Sequence, residues 1–214
     1  MTIPWEKYGA SGNEENMRYL FYLIGKSASG KDTIYEKLLD DRTLDLCPLV
    51  PYTTRPIREG EKEGAEYHFT DQEGFSRLKR AGKVIEDRTY DTVFGPWTYF
   101  TVDDGLFADQ AEGRDMLGIG TLESFVKIQS YYGKDRVIPL YIEVDDGIRL
   151  MRALKREMAP GNHRYDEMCR RFLADQKDFS EEKLAEAGIG IRFSNDGQLE
   201  DCLKKVAAYI GDFA

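Results

Sequence analysis

The chain has little of what would mark a disulfide-built, membrane-spanning or nucleic-acid-coating protein. Its 214 residues hold three cysteines, Cys47, Cys169 and Cys202, an odd number, far apart and without metal-ligand spacing. They read as reduced thiols of a cytoplasmic protein. No apolar run approaches the roughly 20 residues needed to cross a bilayer. Positive charge is in deficit: 30 Lys and Arg against 39 Asp and Glu leave a net charge of −9. That balance disfavours a broad grip on nucleic acid, so any anionic ligand has to be held by a local basic cluster. Residues 1–17 lack the basic-then-apolar pattern of a secretory signal and are expected to form a loose arm rich in Gly, Asn and Glu. Repeats and low-complexity tracts are missing too. What is present is 41% hydrophobic and 32% charged, ordinary for a globular chain long enough for one domain with a small inserted lobe.

The strongest chemical signal is Gly25-Lys26-Ser27-Ala28-Ser29-Gly30-Lys31-Asp32-Thr33, directly after the apolar run Leu20-Phe21-Tyr22-Leu23-Ile24. A buried strand that ends in a glycine-rich turn and opens into a helix forms a phosphate cradle. Backbone N–H groups converge on the anion, Lys31 reaches its outer phosphates, and the helix N-terminus adds partial positive charge. A flexible turn with a solvated lysine is the bland alternative. Ile34, Leu38 and Leu39 oppose it, because they give the following helix an apolar stripe.

Hydrophobic periodicity predicts strands at 19–24, 46–50, 116–120, 137–144 and 189–193. It predicts helices at 31–40, 122–132, 148–157, 165–187 and 199–210. Such alternation implies a mainly parallel sheet covered on both faces. Between residues 51 and 101 the texture changes to mixed turns, charges and aromatics. Short strand pieces at 66–69 and 84–86 flank a helix at 71–80. A breaker-rich hinge, residues 158–162, separates two arginine-bearing helices.

Within the 51–101 segment, Thr53-Thr54-Arg55-Pro56-Ile57-Arg58-Glu59-Gly60-Glu61 is followed by Gly64 and Tyr67. Two arginines three residues apart in a braced loop suit fork-like binding of one phosphate, with the Tyr67 hydroxyl alongside. The same loop also reads as a solvated surface whose arginines pair with Glu59 and Glu61. Around the hinge, Arg149, Arg152 and Arg156 are balanced by Arg164, Arg170 and Arg171. These read either as phosphate-neutralising groups or as a solvated helix face paired with Glu157, Asp166 and Glu167.

Taken together, these segments resemble the guanylate kinase family, from the phosphate loop almost to the C-terminus. The resemblance implies an α/β fold: a P-loop NTPase core with a parallel sheet covered by helices, a small monophosphate-binding lobe and a helical lid. The implied boundaries are a core at 18–50 and 102–214, a lobe at 51–101 and a lid at about 148–172. It implies phosphoryl transfer from MgATP to a nucleoside monophosphate, GMP first, in a monomer or homodimer with no nucleic-acid or membrane partner. By resemblance, Arg55, Arg58 and Tyr67 hold the acceptor phosphate, Glu86 reads guanine, and Phe94 lies in the acceptor pocket. Gly25, Ser27, Ala28, Ser29, Gly30, Lys31, Asp32 and Thr33 bind ATP, with Asn195 near the adenine. Lys31, Arg156 and Arg171 are the catalytic group.

The chain departs from the family pattern at several points. Asp32 stands where the family has Ser, and Gly118 and Gly120 stand where it has two strand-end aspartates. Pro51 or Tyr52 replaces a guanine-reading Ser, and Phe94-Gly95-Pro96 replaces Tyr-Gly-Ser. Asp32 is therefore expected to be the Mg²⁺ ligand, one carboxylate in place of those lost from the strand. Two other readings stay open. One is a binding module for phosphorylated peptides that has abandoned ATP. The other is a kinase for a different acceptor, such as a deoxynucleoside monophosphate.

Overall fold

The computed structural model describes residues 18–92, 94–103, 105, 113–161 and 163–213, so the predicted arm at 1–17 lies outside the described residues. In chain order the elements are β1 (Leu20–Ile24), α1 (Lys31–Asp40), β2 (Cys47–Pro48), β3 (Tyr52–Thr53), β4 (His68–Phe69), α2 (Gln72–Arg80), β5 (Val84–Thr92) and β6 (Gly95–Val102). They continue with β7 (Met116–Gly120), α3 (Leu122–Tyr132), β8 (Val137–Glu143), α4 (Asp146–Glu157), α5 (Tyr165–Asp178), α6 (Glu181–Glu186), β9 (Arg192–Ser194) and α7 (Leu199–Gly211).

Every residue of β1 is buried, which only a central strand covered on both faces permits. The sheet order is β2-β7-β1-β8-β9, with all pairs parallel. Alternate side chains of β1 feed two cores. Leu20, Tyr22 and Ile24 pack with Phe125 and Ile128 of α3 and Leu184 of α6. Phe21 and Leu23 pack with Ile34 and Leu38 of α1 and with Val206 and Ile210 of α7. Each such fully buried side chain contributes about 1.5–3 kcal/mol. The carboxyl ends of β1, β7 and β8 open on one edge of the sheet, where open α/β folds place their ligands.

A second sheet, β4-β3-β6-β5, is mixed, with only β3 and β4 parallel. Its small core is Phe75, Phe100 and Val102. The 84–86 strand piece is in fact one arm of a long hairpin whose other arm, β6, periodicity missed. The reason is composition: Asp87, Arg88, Thr89, Tyr90 and Asp91 are polar on both faces of β5. Other differences have local causes. The strand expected at 46–50 pairs only over Cys47–Pro48, an edge position where proline's missing N–H is tolerated. The helix expected at 165–187 breaks at Phe179, and Ser180 caps a new one by accepting from the Lys183 N–H. The strand expected at 189–193 pairs from Arg192, because positive-φ Gly188 keeps the approach irregular.

Tyr22 lies opposite Gly118 in the β1–β7 register. A Cβ on Gly118 would meet the Tyr22 ring at 2.6 Å, and one on Gly120 would collide with the Tyr22 hydroxyl and meet Ser124 Oγ at 2.6 Å. The hydroxyl is hydrogen bonded to Ser124 Oγ at 3.0 Å. Burial, more than the nearby Glu86 carboxylate, pushes the phenol's pKa far above its ordinary value, so it stays neutral. The two glycines and Tyr22 therefore form one steric unit: an aromatic ring fills the room that strand-end carboxylates would need. Gly120→Asp should destabilise the fold by about 1–3 kcal/mol through overpacking and a buried carboxylate. In a Tyr22→Ala background the same change should cost at least about 1 kcal/mol less, as urea denaturation of the double-mutant cycle would show.

Candidate active site

The turn after β1 is built by two steric constraints. A Cβ at Gly25 would meet Ile142 O at 2.8 Å and Ser29 Oγ at 2.9 Å. Gly30 has φ +84, the left-handed region, and a Cβ there would meet Asn195 Nδ2 at 2.7 Å. Helix α1 starts at Lys31 without a side-chain cap. Its first N–H groups are thus open to an anion, as in a phosphate cradle. Lys31 Nζ sits 3.4 Å from Asp32 Oδ2, and the Asp32 side chain is 79% exposed in the first turn of the helix.

Beneath the loop lies a polar clamp that the sequence reading did not anticipate. Arg149 of α4 is 1% exposed. Its Nε donates to Ser27 O at 3.2 Å, its Nη1 to Asp146 Oδ1 at 3.0 Å, and its Nη2 to Asp175 Oδ2 at 2.9 Å. Asp175 Oδ2 also accepts from the Ser27 N–H at 2.8 Å. Lys26 reaches Gln176 Oε1 at 3.2 Å and lies 3.5 Å from Asp146 Oδ1. Loop, α4 and α5 are fastened together. The signal was half present: Arg149 and Arg156 are seven apart and share a helix face. Its partner Asp175 lies 26 residues away, where no spacing rule reaches.

Asn195 is buried under the loop, and its Nδ2 donates to Ser29 O at 2.8 Å. It holds the backbone of the cradle here. Asn195 Oδ1 and Ser29 Oγ are buried without a partner among the described residues.

On the acceptor side, Arg55 is buried and forms a bidentate pair with Glu61, Nη1 to Oε2 at 3.0 Å and Nη2 to Oε1 at 2.7 Å. The pairing holds Glu61 below the usual carboxylate range. The Arg55 guanidinium lies 5.5 Å from the centre of the Tyr67 ring, so these two expected residues meet. The side chain of Arg58 is exposed, while its backbone N–H donates to Glu61 Oε2 at 2.8 Å. Glu86, which reads alone as an exposed strand residue, is 3% exposed. Thr101 Oγ1 donates to its Oε1 at 2.9 Å and Arg88 Nε to its Oε2 at 3.2 Å. Phe94 is 80% exposed at the hairpin tip and stacks on Trp97. About 20 Å of strand separates that tip from Glu86.

The lid arginines do come to the loop. Arg156 and Arg171 line one crevice together with Ser27, Arg149 and Phe172. Arg156 Nε lies 3.5 Å from Glu157 Oε1, and Arg171 Nε donates to Glu167 Oε1 at 2.8 Å. Hydrogen bonds from Arg170 and then Arg171 pull Glu167 down to about 2. The carboxylate therefore stays charged, and the pairing intact, as pH falls until that value is approached. A larger cavity of about 560 Å³ opens between β5, the start of α3 and the α5–α6 corner, walled by Arg88, Tyr90, Thr121, Asp175 and Phe179. Asp175 thus touches both the cavity and the phosphate loop. Among the described residues no group of three or more His, Cys, Asp and Glu could hold a metal by itself. The exposed Asp32 carboxylate does suit a Mg²⁺ ion shared with substrate phosphates and water, the usual donor set for that ion.

The guanylate kinase family model matches residues 17–99. A guanylate kinase of Porphyromonas gingivalis is 27% identical over 197 residues, covering 92% of this chain and 98% of the relative. Shorter matches are closer. A guanylate kinase of Anaplasma phagocytophilum is 41% identical over 76 residues, 36% of this chain and 35% of the relative. One of Frankia casuarinae is 43% identical over 67 residues, 31% of this chain and 36% of the relative. The crystal structure of guanylate kinase from Anaplasma phagocytophilum shares the fold, with TM-score 0.61 at 23% identity over 92% of this chain and 86% of that chain.

Removing one member of a buried ion-pair cluster leaves the others uncompensated, at a cost of about 3–5 kcal/mol. Arg149→Met should accordingly lower the urea midpoint and weaken ATP binding at least about tenfold, read by calorimetry below the unfolding transition. Lys155→Met, exposed on the same helix, should do neither.

Proposed function

We propose that the chain, similar to guanylate kinases over 92% of its length, transfers the terminal phosphoryl group of MgATP to a nucleoside monophosphate, GMP first, giving ADP and GDP. The carrying observation is the convergence of a glycine-built anion cradle bearing Lys31 with two lid arginines that share a crevice with Ser27. The donor nucleotide occupies the cradle from Gly25 through Ser27, Ala28, Ser29, Gly30 and Lys31 to Thr33, with Asn195 positioning the loop. Arg55, Arg58 and Tyr67 hold the acceptor phosphate, and Glu86 belongs to the base-recognition wall. In this reading Arg55 leaves Glu61, or shares it, when a phosphate arrives.

Phosphoryl transfer spreads negative charge over the moving group, so the protein's work is to align the two anions and stabilise that charge. Lys31 neutralises the outer phosphates of the donor. Arg156 and Arg171 close from α4 and α5 to stabilise the transferring oxygens and exclude water. Asp32 is the residue that would hold a Mg²⁺ ion, which would supply charge neutralisation at the donor phosphates. No covalent enzyme intermediate is required. The protein acts in the cytoplasm as a monomer or homodimer. Among the described residues, no helix is long and apolar enough to cross a membrane.

A coupled ADP-release assay with GMP, dGMP, AMP, CMP, UMP and dTMP tests the reading. Turnover with GMP or dGMP is expected, and Lys31→Met should reduce it by about 10²–10³-fold. Asp32→Ala should raise the Mg²⁺ concentration needed for half-maximal rate, and an unchanged requirement would remove Asp32 as the ligand. A second reading, a phosphopeptide-binding module, draws on the strand-end glycines. It would be favoured by GMP binding without turnover of any acceptor.

A further inference from the structure

One cation in the wall of the 560 Å³ cavity has no part in the scheme above. Arg88 is held from both sides of that cavity. Its Nε donates to Glu86 Oε2 at 3.2 Å within the lobe, and its Nη1 donates to Thr121 Oγ1 at 3.3 Å at the start of α3. Thr121 is itself fixed by a reciprocal capping pair with Ser124, and Ser124 Oγ lies 3.0 Å from the Tyr22 hydroxyl. The guanidinium is therefore oriented before any ligand arrives. Its Nη2 has no hydrogen-bond partner among the described residues and is not shut away from solvent.

Strand register says what passes in front of it. Arg88 faces Tyr99 across the hairpin, and Glu86 faces Thr101 one rung further from the tip. Glu86 and Arg88 are two apart on β5, so their side chains leave the same face of the sheet about 7 Å apart. Tyr99 marks the phosphate end. Its ring lies 5.6 Å from that of Tyr67, and the Tyr67 ring lies 5.5 Å from the Arg55 guanidinium. With Glu86 on the base and Arg55, Arg58 and Tyr67 on the phosphate, the step from Glu86 to the Arg88–Tyr99 rung leads from base towards phosphate. In a nucleoside monophosphate the group between those two is the sugar.

The chemistry of Nη2 agrees. With Nε and Nη1 committed, Arg88 cannot offer the two-pronged fork with which a guanidinium grips a phosphate. The Glu86 carboxylate already offsets its charge. What remains is one oriented donor nitrogen, suited to a neutral oxygen such as a hydroxyl. We propose that Arg88 reads the sugar of the acceptor, donating from Nη2 to a ribose hydroxyl oxygen, while Glu86 reads the base beside it. The proposal rests on the kinase reading and sharpens its substrate class from nucleoside to ribonucleoside monophosphates.

Titration calorimetry with GMP, 2′-deoxy-GMP and 3′-deoxy-GMP tests this on the full chain and on its Arg88→Met and Arg88→Lys variants, with melting curves to check folding. Arg88→Lys keeps a cation beside Glu86, so one folded variant remains if Arg88→Met leaves that buried carboxylate too poorly paired. The unmodified chain should bind at least one deoxy analogue about tenfold or more weaker than GMP, the size of a lost hydrogen bond to a charged donor. The weaker analogue identifies the hydroxyl. In the variants, GMP binding should weaken until its ratio to that analogue falls to within about twofold. A merely structural Arg88 would weaken all three ligands alike and leave the ratio where it was. Equal binding of all three by the unmodified chain, or a tenfold preference that survives in a folded variant, would overturn the proposal. The expected preference without ADP release from any acceptor would overturn the kinase reading and leave Arg88's role standing. No monophosphate bound at all would overturn both.

Discussion

The arrangement depends on one buried guanidinium. Arg149 joins a backbone carbonyl of the phosphate loop to carboxylates on two different helices. A cation this deep is tolerable only because Asp146 and Asp175 surround it, and they in turn need it. The consequence is mechanical. The turns of α4 and α5 that carry Arg149 and Asp175 are pinned to the loop that would hold the donor, so Arg156 and Arg171 can close only by pivoting about that cluster. Asp175 extends the link, because it also lines the larger cavity. The glycine-rich loop, the arginine-bearing helices and the larger cavity meet at this one cluster.

A second constraint explains the departure at the end of β7. Strand-end glycines at 118 and 120 look like lost metal-site aspartates when read one position at a time. Beside Tyr22 they are the space its ring requires. The ring's hydroxyl then holds Ser124, which fixes Thr121, which meets Arg88. A change inside the sheet thus reaches the wall of the larger cavity through packing and four hydrogen-bonding side chains. The uncharged strand end and the Arg88 cation on β5 are therefore joined in one connected arrangement.

Much of this was legible in the linear chain. The apolar run 20–24 and Gly30-Lys31 located the central strand and the cradle, because burial and backbone conformation leave a local imprint. Arg55 and Tyr67 were found through their braced loop and do meet. What escaped detection depends on distant partners. Arg149 is one arginine among several until Asp175 is beside it, and Arg88 is an ordinary strand residue until Thr121 approaches from the core. The hairpin carrying Glu86 and Arg88 was under-read for a related reason. Its residues serve a cleft instead of a core and so lack the alternation that reveals strands. Phe94 was assigned by alignment alone, and its exposed position on Trp97 gives it no contact with Arg55 or Glu86.

The central claim is that a phosphoryl group passes between two bound nucleotides rather than to water. Phosphorus NMR of the protein with MgATP and GMP tests this directly, because every phosphate is seen at once. The β-phosphate resonances of ADP and GDP should grow together in equal amounts, with inorganic phosphate lagging far behind. Growth of ADP and inorganic phosphate without GDP would contradict the account, and so would an unchanged spectrum.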